Sequence, residues 1–254
     1  MTLRVADPAG LKYAKILVYA PAGHGKTHLL GTAQEDDRTY PMCFIDFEAG
    51  TETLDGLDID VFRIRSWQDA DEVLEYLEYG EVVTLKDNNG KTRKVDFSEF
   101  KSVGVDSVSE WNRWAQLDLL RREEKQRKDP DLLEWKDYNR TSVQLRRVLR
   151  RLRDLDERHI FLSGHAQSRE EPRLGRVTLP ELTGQLAEEI AGLVSVVGYL
   201  ALSSDEEGET ERLLLLNNYP KYRVKARTSW NQTAPNEIFE PDVTRILDTL
   251  GYQN

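Results

Sequence analysis

The chain has 254 residues, enough for one sizeable α/β domain with a full core. Hydrophobic residues make up 39% and charged residues 31%, with 16 Gly and 9 Pro, which excludes collagen-like and low-complexity chains. Lys and Arg total 35 against 45 Asp and Glu, and the net charge of −10 opposes indiscriminate binding to polyanions while leaving room for a local basic patch.

The N-terminal segment MTLRVADPAG lacks a signal-peptide core. The apolar run KILVYA, Lys15 to Ala20, precedes a Gly-rich stretch, and Lys26 to Ala33 then carries apolar residues at helical spacing, so strand, loop and helix are predicted in that order. A second strand is predicted at Met42 to Phe47, ending on Glu48. It contains Cys43, the single cysteine, which reads as core packing and excludes both a disulfide framework and a Cys-rich zinc site. An amphipathic helix follows at Ser66 to Tyr79, with Val73, Leu74 and Leu77 on one side. Residues 81–97 place β-formers on either side of Asn88-Asn89-Gly90, the chemistry of a β-hairpin insertion.

A short strand at Lys101 to Asp106 leads into a polar helix, Glu110 to Lys128, which Pro130 should break. Thr141 to Leu155 predicts a helix with Leu145, Val148, Leu149, Leu152 and Leu155 inward and Arg146, Arg147, Arg150, Arg151 and Arg153 outward. His159 to Gly164 reads as a buried strand. Residues 166–180 are polar and without clear periodicity, which predicts a mobile loop. After a helix near Gly184 to Leu193, the runs SVVGYLAL, ERLLLLNN and KYRVKA alternate with the acidic turn DEEGETE and suggest an antiparallel C-terminal meander, closed by a helix at Asp242 to Leu250. The longest nearly apolar run, Ile190 to Leu202, is too short to span a bilayer and contains two glycines and Ser195. The expectation is a single cytoplasmic domain over residues 1–254 with no membrane association.

Residues Ala20, Pro21, Ala22, Gly23, His24, Gly25, Lys26 and Thr27 read APAGHGKT, which fits the P-loop spacing G-x-x-x-x-G-K-[ST] except that Ala20 replaces the first glycine. Small residues let successive N–H groups wrap phosphates. Lys26 is placed for the β/γ oxygens and Thr27 for Mg²⁺, with His28 following on the helix. Asp106, closing the strand SVGVD, is the natural acid on the metal side and makes ATP and Mg²⁺ the expected cofactors. Ser107 stands where many P-loop motors have a glutamate, so the base must come from elsewhere. Glu48, just past FIDF, is the first choice and Glu110 the reserve; an ordinary charged residue at a strand end is the other reading of Glu48.

Together APAGHGKT, CFIDFEAG, VGVDS and FLSGH resemble, in order and spacing, the RecA-like recombinase core. More closely, the chain resembles the short phage-encoded RecA-like ATPases of the single-strand annealing group, from the first strand to KYRVKAR. The resemblance implies a mostly parallel central sheet flanked by helices, Glu48 as catalytic base and Asp106 as the Mg²⁺-linked acid. It also implies that His165 senses the γ-phosphate, where RecA has glutamine; a histidine satisfied by local hydrogen bonds is the alternative. Lys225-Ala226-Arg227 resembles the K-x-R pair that such oligomers insert into a neighbouring subunit's active site, a role that competes with an ordinary solvated strand face.

The implied partner is single-stranded DNA, bound by a ring or filament of subunits, with a single-strand binding protein as a further partner. Arg121, Arg122, Lys125, Arg127 and Lys128, then Arg169, Arg173 and Arg176, supply cations, and Trp111, Trp114 and Trp135 supply rings, although tryptophans are more often core residues. The function expected is an ATP-dependent recombinase promoting annealing or strand exchange. A helicase loader or other nucleic-acid motor, and a nucleotide-gated scaffold with little turnover, are the alternatives. No N-K-x-D motif supports a GTPase.

Overall fold

A computed structural model describes residues 12–87, 90–124, 129, 131–204, 208, 210–228 and 232–252. Its centre is a sheet in the order β12-β10-β9-β1-β7-β6-β2-β3. The strands are β1 (Lys15–Ala20), β2 (Met42–Asp46), β3 (Asp60–Arg63), β6 (Ser102–Asp106), β7 (His159–Glu171), β9 (Val196–Ser204), β10 (Thr210–Leu215) and β12 (Glu237–Phe239). From β9 to β3 every neighbouring pair is parallel, while β10 and β12 extend the sheet in antiparallel fashion.

Strand β1 is buried on both faces, as the unbroken apolar run KILVYA requires. Its alternation divides the core. Leu17 and Tyr19 pack on the side of α2 (Trp67–Tyr79), α3 (Val108–Glu123), α4 (Trp135–Arg153) and α5 (Leu186–Leu193). Ile16, Val18 and Ala20 face α1 (Lys26–Gly31) and α6 (Val243–Leu250). The α/β architecture with helices on both faces of a mostly parallel sheet is thus the expected one.

Local chemistry fixes the helix ends. Ser66 caps α2 by accepting from Asp69 N at 3.1 Å, and Gly80 ends it in the left-handed region at φ 62°. A capping box of Glu134 and Asp137 starts α4 at Trp135, well before Thr141, the start read from the leucine stripe. Helix α3 is described as far as Glu123; Lys125, Arg127, Lys128 and Pro130, where its end was expected, lie outside the described residues.

The insertion at 81–97 is a separate two-stranded sheet of β4 (Val82–Lys86) and β5 (Thr92–Asp96); Asn88 and Asn89 of its turn lie outside the described residues. The loop expected at 166–180 is instead a β-hairpin. Strand β7 runs on past Gly164 to Glu171 and pairs antiparallel with β8 (Gly175–Pro180). Val177 and Leu179 are buried, Tyr19 Oη donates to Thr178 O at 3.1 Å, and Arg223 N donates to the same carbonyl at 2.9 Å. These long-range anchors give order to a sequence whose own periodicity is weak. The C-terminal meander is also modified: β9 joins the parallel core beside β1, and KYRVKA contributes only β11 (Lys225–Ala226), which pairs with β9.

Candidate nucleotide site

Parallel pairing brings the ends of the central strands to one level. Ala20 lies opposite His165 between β1 and β7, and Asp46 opposite Asp106 between β2 and β6. The loops leaving this edge meet in the crevice where α/β sheets place ligands. Among them, Gly23 and Gly25 adopt φ 79° and 91°, conformations that suit glycine, and nothing stands within 4 Å of where a Cβ on Gly23 would point. The cradle is open, with Pro21, Ala22 and Gly23 exposed. His24 Nδ1 lies 3.0 Å from Leu200 O, and because a carbonyl only accepts, Nδ1 carries the ring proton. His28 is exposed on the outer side of α1.

Lys26 is buried and its ammonium donates to Pro21 O at 3.0 Å, bridging its own loop. Burial lowers its pKa against the opposing pull of the Glu48 and Asp106 carboxylates. Thr27 Oγ1 donates to Asp106 Oδ2 at 2.6 Å, and Ser163 Oγ donates to Asp106 Oδ1. Asp106 is buried, and that burial raises its pKa despite the two hydroxyl donors.

Glu48 stands on the loop after β2. Its Oε1 lies 2.9 Å from His165 Nε2, joining the residues expected as base and γ-phosphate sensor. Burial pushes the Glu48 pKa up, but the nearness of His165 and Ser107, with the positive charges of His165 and Lys26, outweighs it and holds the carboxyl below its ordinary range. The Glu48 carboxylate beside it raises the His165 pKa against the effect of burial. The His165 backbone is fixed too: its N donates to Ser109 Oγ at 2.9 Å and its O accepts from Glu181 N at 2.8 Å.

Asp46 was not singled out by the sequence reading, yet it shapes this loop. Its Oδ1 accepts from Glu48 N at 3.0 Å and Ala49 N at 2.8 Å, and its Oδ2 lies 3.3 Å from Arg63 Nε. An acid closing an otherwise apolar strand was the available signal. Glu110, the reserve base, is bound to Arg113.

Other candidates fall elsewhere. Lys225 Nζ turns inward to Ala191 O and Val194 O at the end of α5, whereas Arg227 lies beyond β11 and is exposed. Trp111 is a core residue stacked on Phe47 at 4.7 Å, Trp114 packs partly buried against the core, and Trp135 is 82% exposed. Arg122 pairs with Asp118, and Arg169 with Glu171 and Glu188, while Arg121, Arg173 and Arg176 are exposed.

The residues present fit a magnesium nucleotide. The described residues hold no cluster of three or more His, Cys, Asp or Glu that could cage a metal. Magnesium needs no such cage, because one hydroxyl, phosphate oxygens and waters complete its shell.

A family model for the AAA domain, AAA_24, matches residues 12–228, and the chain belongs to that family. This makes it a P-loop ATPase-type domain. Among solved structures it is similar to the flagellar accessory protein FlaH from Methanocaldococcus jannaschii, at 12% identity and a TM-score of 0.45 over 91% of this chain and 88% of that one. It is also similar to the RadB recombinase, at 15% identity and a TM-score of 0.42 over 89% of this chain and 87% of that one. No curated protein sequence matches the chain. Among the described residues, no helix is long and apolar enough to cross a membrane.

Proposed function

We propose that the chain hydrolyses ATP at this edge and couples hydrolysis to single-stranded DNA in an assembly of identical subunits. The observation that carries the reading is the Glu48–His165 contact beside Lys26, Thr27 and Asp106. Lys26 binds the β/γ oxygens, for which it leaves Pro21 O. Thr27 with Asp106 would hold Mg²⁺, which when bound would supply charge neutralisation on the phosphates. Glu48 takes a proton from the attacking water as the water oxygen bonds to the γ-phosphorus and ADP departs. A carboxylate kept ionised by His165 and Ser107 is ready for that proton.

His165 relays the state of the site outward, since β7 continues directly from it into the hairpin with β8. Exposed Arg173 and Arg176 sit at and beside the tip of that hairpin, where a nucleic-acid backbone can reach them. Within the RecA-like resemblance, the outcome is annealing or strand exchange, with exposed Arg227 offered to a neighbouring subunit's phosphates and a single-strand binding protein as an accessory.

A second reading, a nucleotide-gated scaffold with little turnover, is favoured by Ser107, which stands after Asp106 where many P-loop motors carry a glutamate. Steady-state ATP hydrolysis with and without single-stranded DNA, with Lys26→Ala as control and particle size followed in parallel, separates the two. Stimulation with assembly, lost in Lys26→Ala, supports the motor; ATP-dependent assembly without turnover supports the scaffold; neither response removes both.

A further inference from the structure

We infer that Arg212 is a nucleotide-binding residue of the same subunit, reaching the α/β-phosphate region from the antiparallel edge of the sheet. The inference rests on the P-loop reading above and adds a cation that the sequence motif does not contain. Arg212 lies on β10, opposite Leu202 of β9, two strands away from β1. Its side chain crosses β9 to meet the P-loop. A Cβ built on Gly25 would stand 2.9 Å from Arg212 Nε, 3.6 Å from Cδ and 3.7 Å from Cζ. Gly25 therefore answers two demands, a left-handed φ of 91° and the space that the arginine occupies.

The guanidinium is held but not satisfied. Arg212 Nε is buried and has no hydrogen-bond partner, although buried donors are normally paired. The carboxylate beside it, Glu240, spends Oε1 on Arg212 N at 2.7 Å and keeps Oε2 3.9 Å from Nη1, too long for a hydrogen bond. The side chain as a whole is 42% exposed. Its stem and Nε thus rest on the loop while other edges of the fork remain open. A planar cation so placed suits phosphate oxygens, which accept from two of its N–H groups at once. Because the P-loop backbone cradles the α- and β-phosphates and Lys26 takes β and γ, a cation packed on Gly25 serves the part shared by ATP and ADP.

The test is equilibrium binding of ATP, ADP and adenosine to the intact chain, for wild type, Lys26→Ala, Arg212→Met and Arg212→Lys, with thermal melts of each free protein. Methionine keeps the packing stem and removes the charge. The expected result is a loss of about tenfold or more for ATP and ADP alike in Arg212→Met, the scale of a charge-assisted hydrogen bond. Arg212→Lys should recover part of it, the salt dependence of binding should become shallower in Arg212→Met, and adenosine binding should not change. Wild-type affinities in Arg212→Met, or a loss equal for adenosine and ATP, overturn the inference and leave Arg212 as packing. If wild type binds ATP without regard to Lys26, the P-loop reading fails and this inference falls with it.

Discussion

Replacing Asp106 by Asn separates the cost of a buried carboxylate from its use. Asp106 is 2% exposed and receives hydroxyls from Thr27 and Ser163, yet burial still raises its pKa above 3.8. In the free protein the ionised form is therefore a liability. That cost is absent below pH 3.8, the unperturbed value, grows as pH rises past it, and levels off above the raised value of the folded state. Asparagine keeps the contacts, because its carbonyl accepts from Ser163 and its amide donates to Thr27 after the hydroxyl rotates. Removing a buried charge of this kind stabilises by about 0.5–2 kcal/mol, which for a chain of this length is a rise of about 1–8 °C in Tm. Thermal melts at pH 7 without ligand should show that rise. In wild type, Mg²⁺ with ATP at about a hundred times Kd should add about 2.7 kcal/mol, and Asp106→Asn should lose the Mg²⁺-dependent part. A variant that melts below wild type, or keeps the whole Mg²⁺-dependent shift, would refute the reasoning.

Further expectations concern His165, the core and the α5 terminus. His165 has a raised pKa because of Glu48, so their ion pair contributes stability that is fully present below pH 6.5 and is lost as pH rises through the folded-state value. Loss of His165 should let Glu48 take up its proton at a higher pH, so the acid limb of the pH–rate profile should move up in His165→Gln; an unmoved limb would contradict the coupling. Gly104→Ala would place a Cβ 2.2 Å from Met42 Cε and 3.0 Å from Phe44 Cδ2 between β2 and β6, an overpacking cost of about 1–3 kcal/mol that urea titration should read. Lys225→Met strips a donor from Ala191 O and Val194 O and should cost about 1–3 kcal/mol in the same assay; an unchanged midpoint would mean that the lysine is free to act elsewhere.

Much of this site could be read from the sequence because its parts are local. KILVYA is buried on both faces, APAGHGKT sets its own turn with Gly23 and Gly25, and SVGVD ends on the acid that meets Thr27. Most of what escaped depends on distant partners, with Asp46 a local exception. The segment 166–180 has weak alternation of its own and becomes a hairpin because Tyr19 and Arg223 hold Thr178. Asp46 was obscured by Glu48 beside it, and its role shows only in the two N–H groups it accepts. Arg212 reads as one cation on an edge strand until β10 folds over β9 and lays it on Gly25. For Lys225, the K-x-R resemblance placed its side chain with that of Arg227, whereas β11 is only two residues long and the ammonium turns under α5. Composition gave no hint that so many arginines would be spent on neighbouring carboxylates.

The central claim is that Glu48 activates the attacking water, and single-turnover hydrolysis by Glu48→Gln, measured alongside ATP affinity, tests it most directly. The account expects affinity within a few-fold of wild type and a hydrolysis rate lower by about 10²–10⁴, the usual worth of a positioned general base. Hydrolysis within a few-fold of wild type, with ATP still bound, would contradict it.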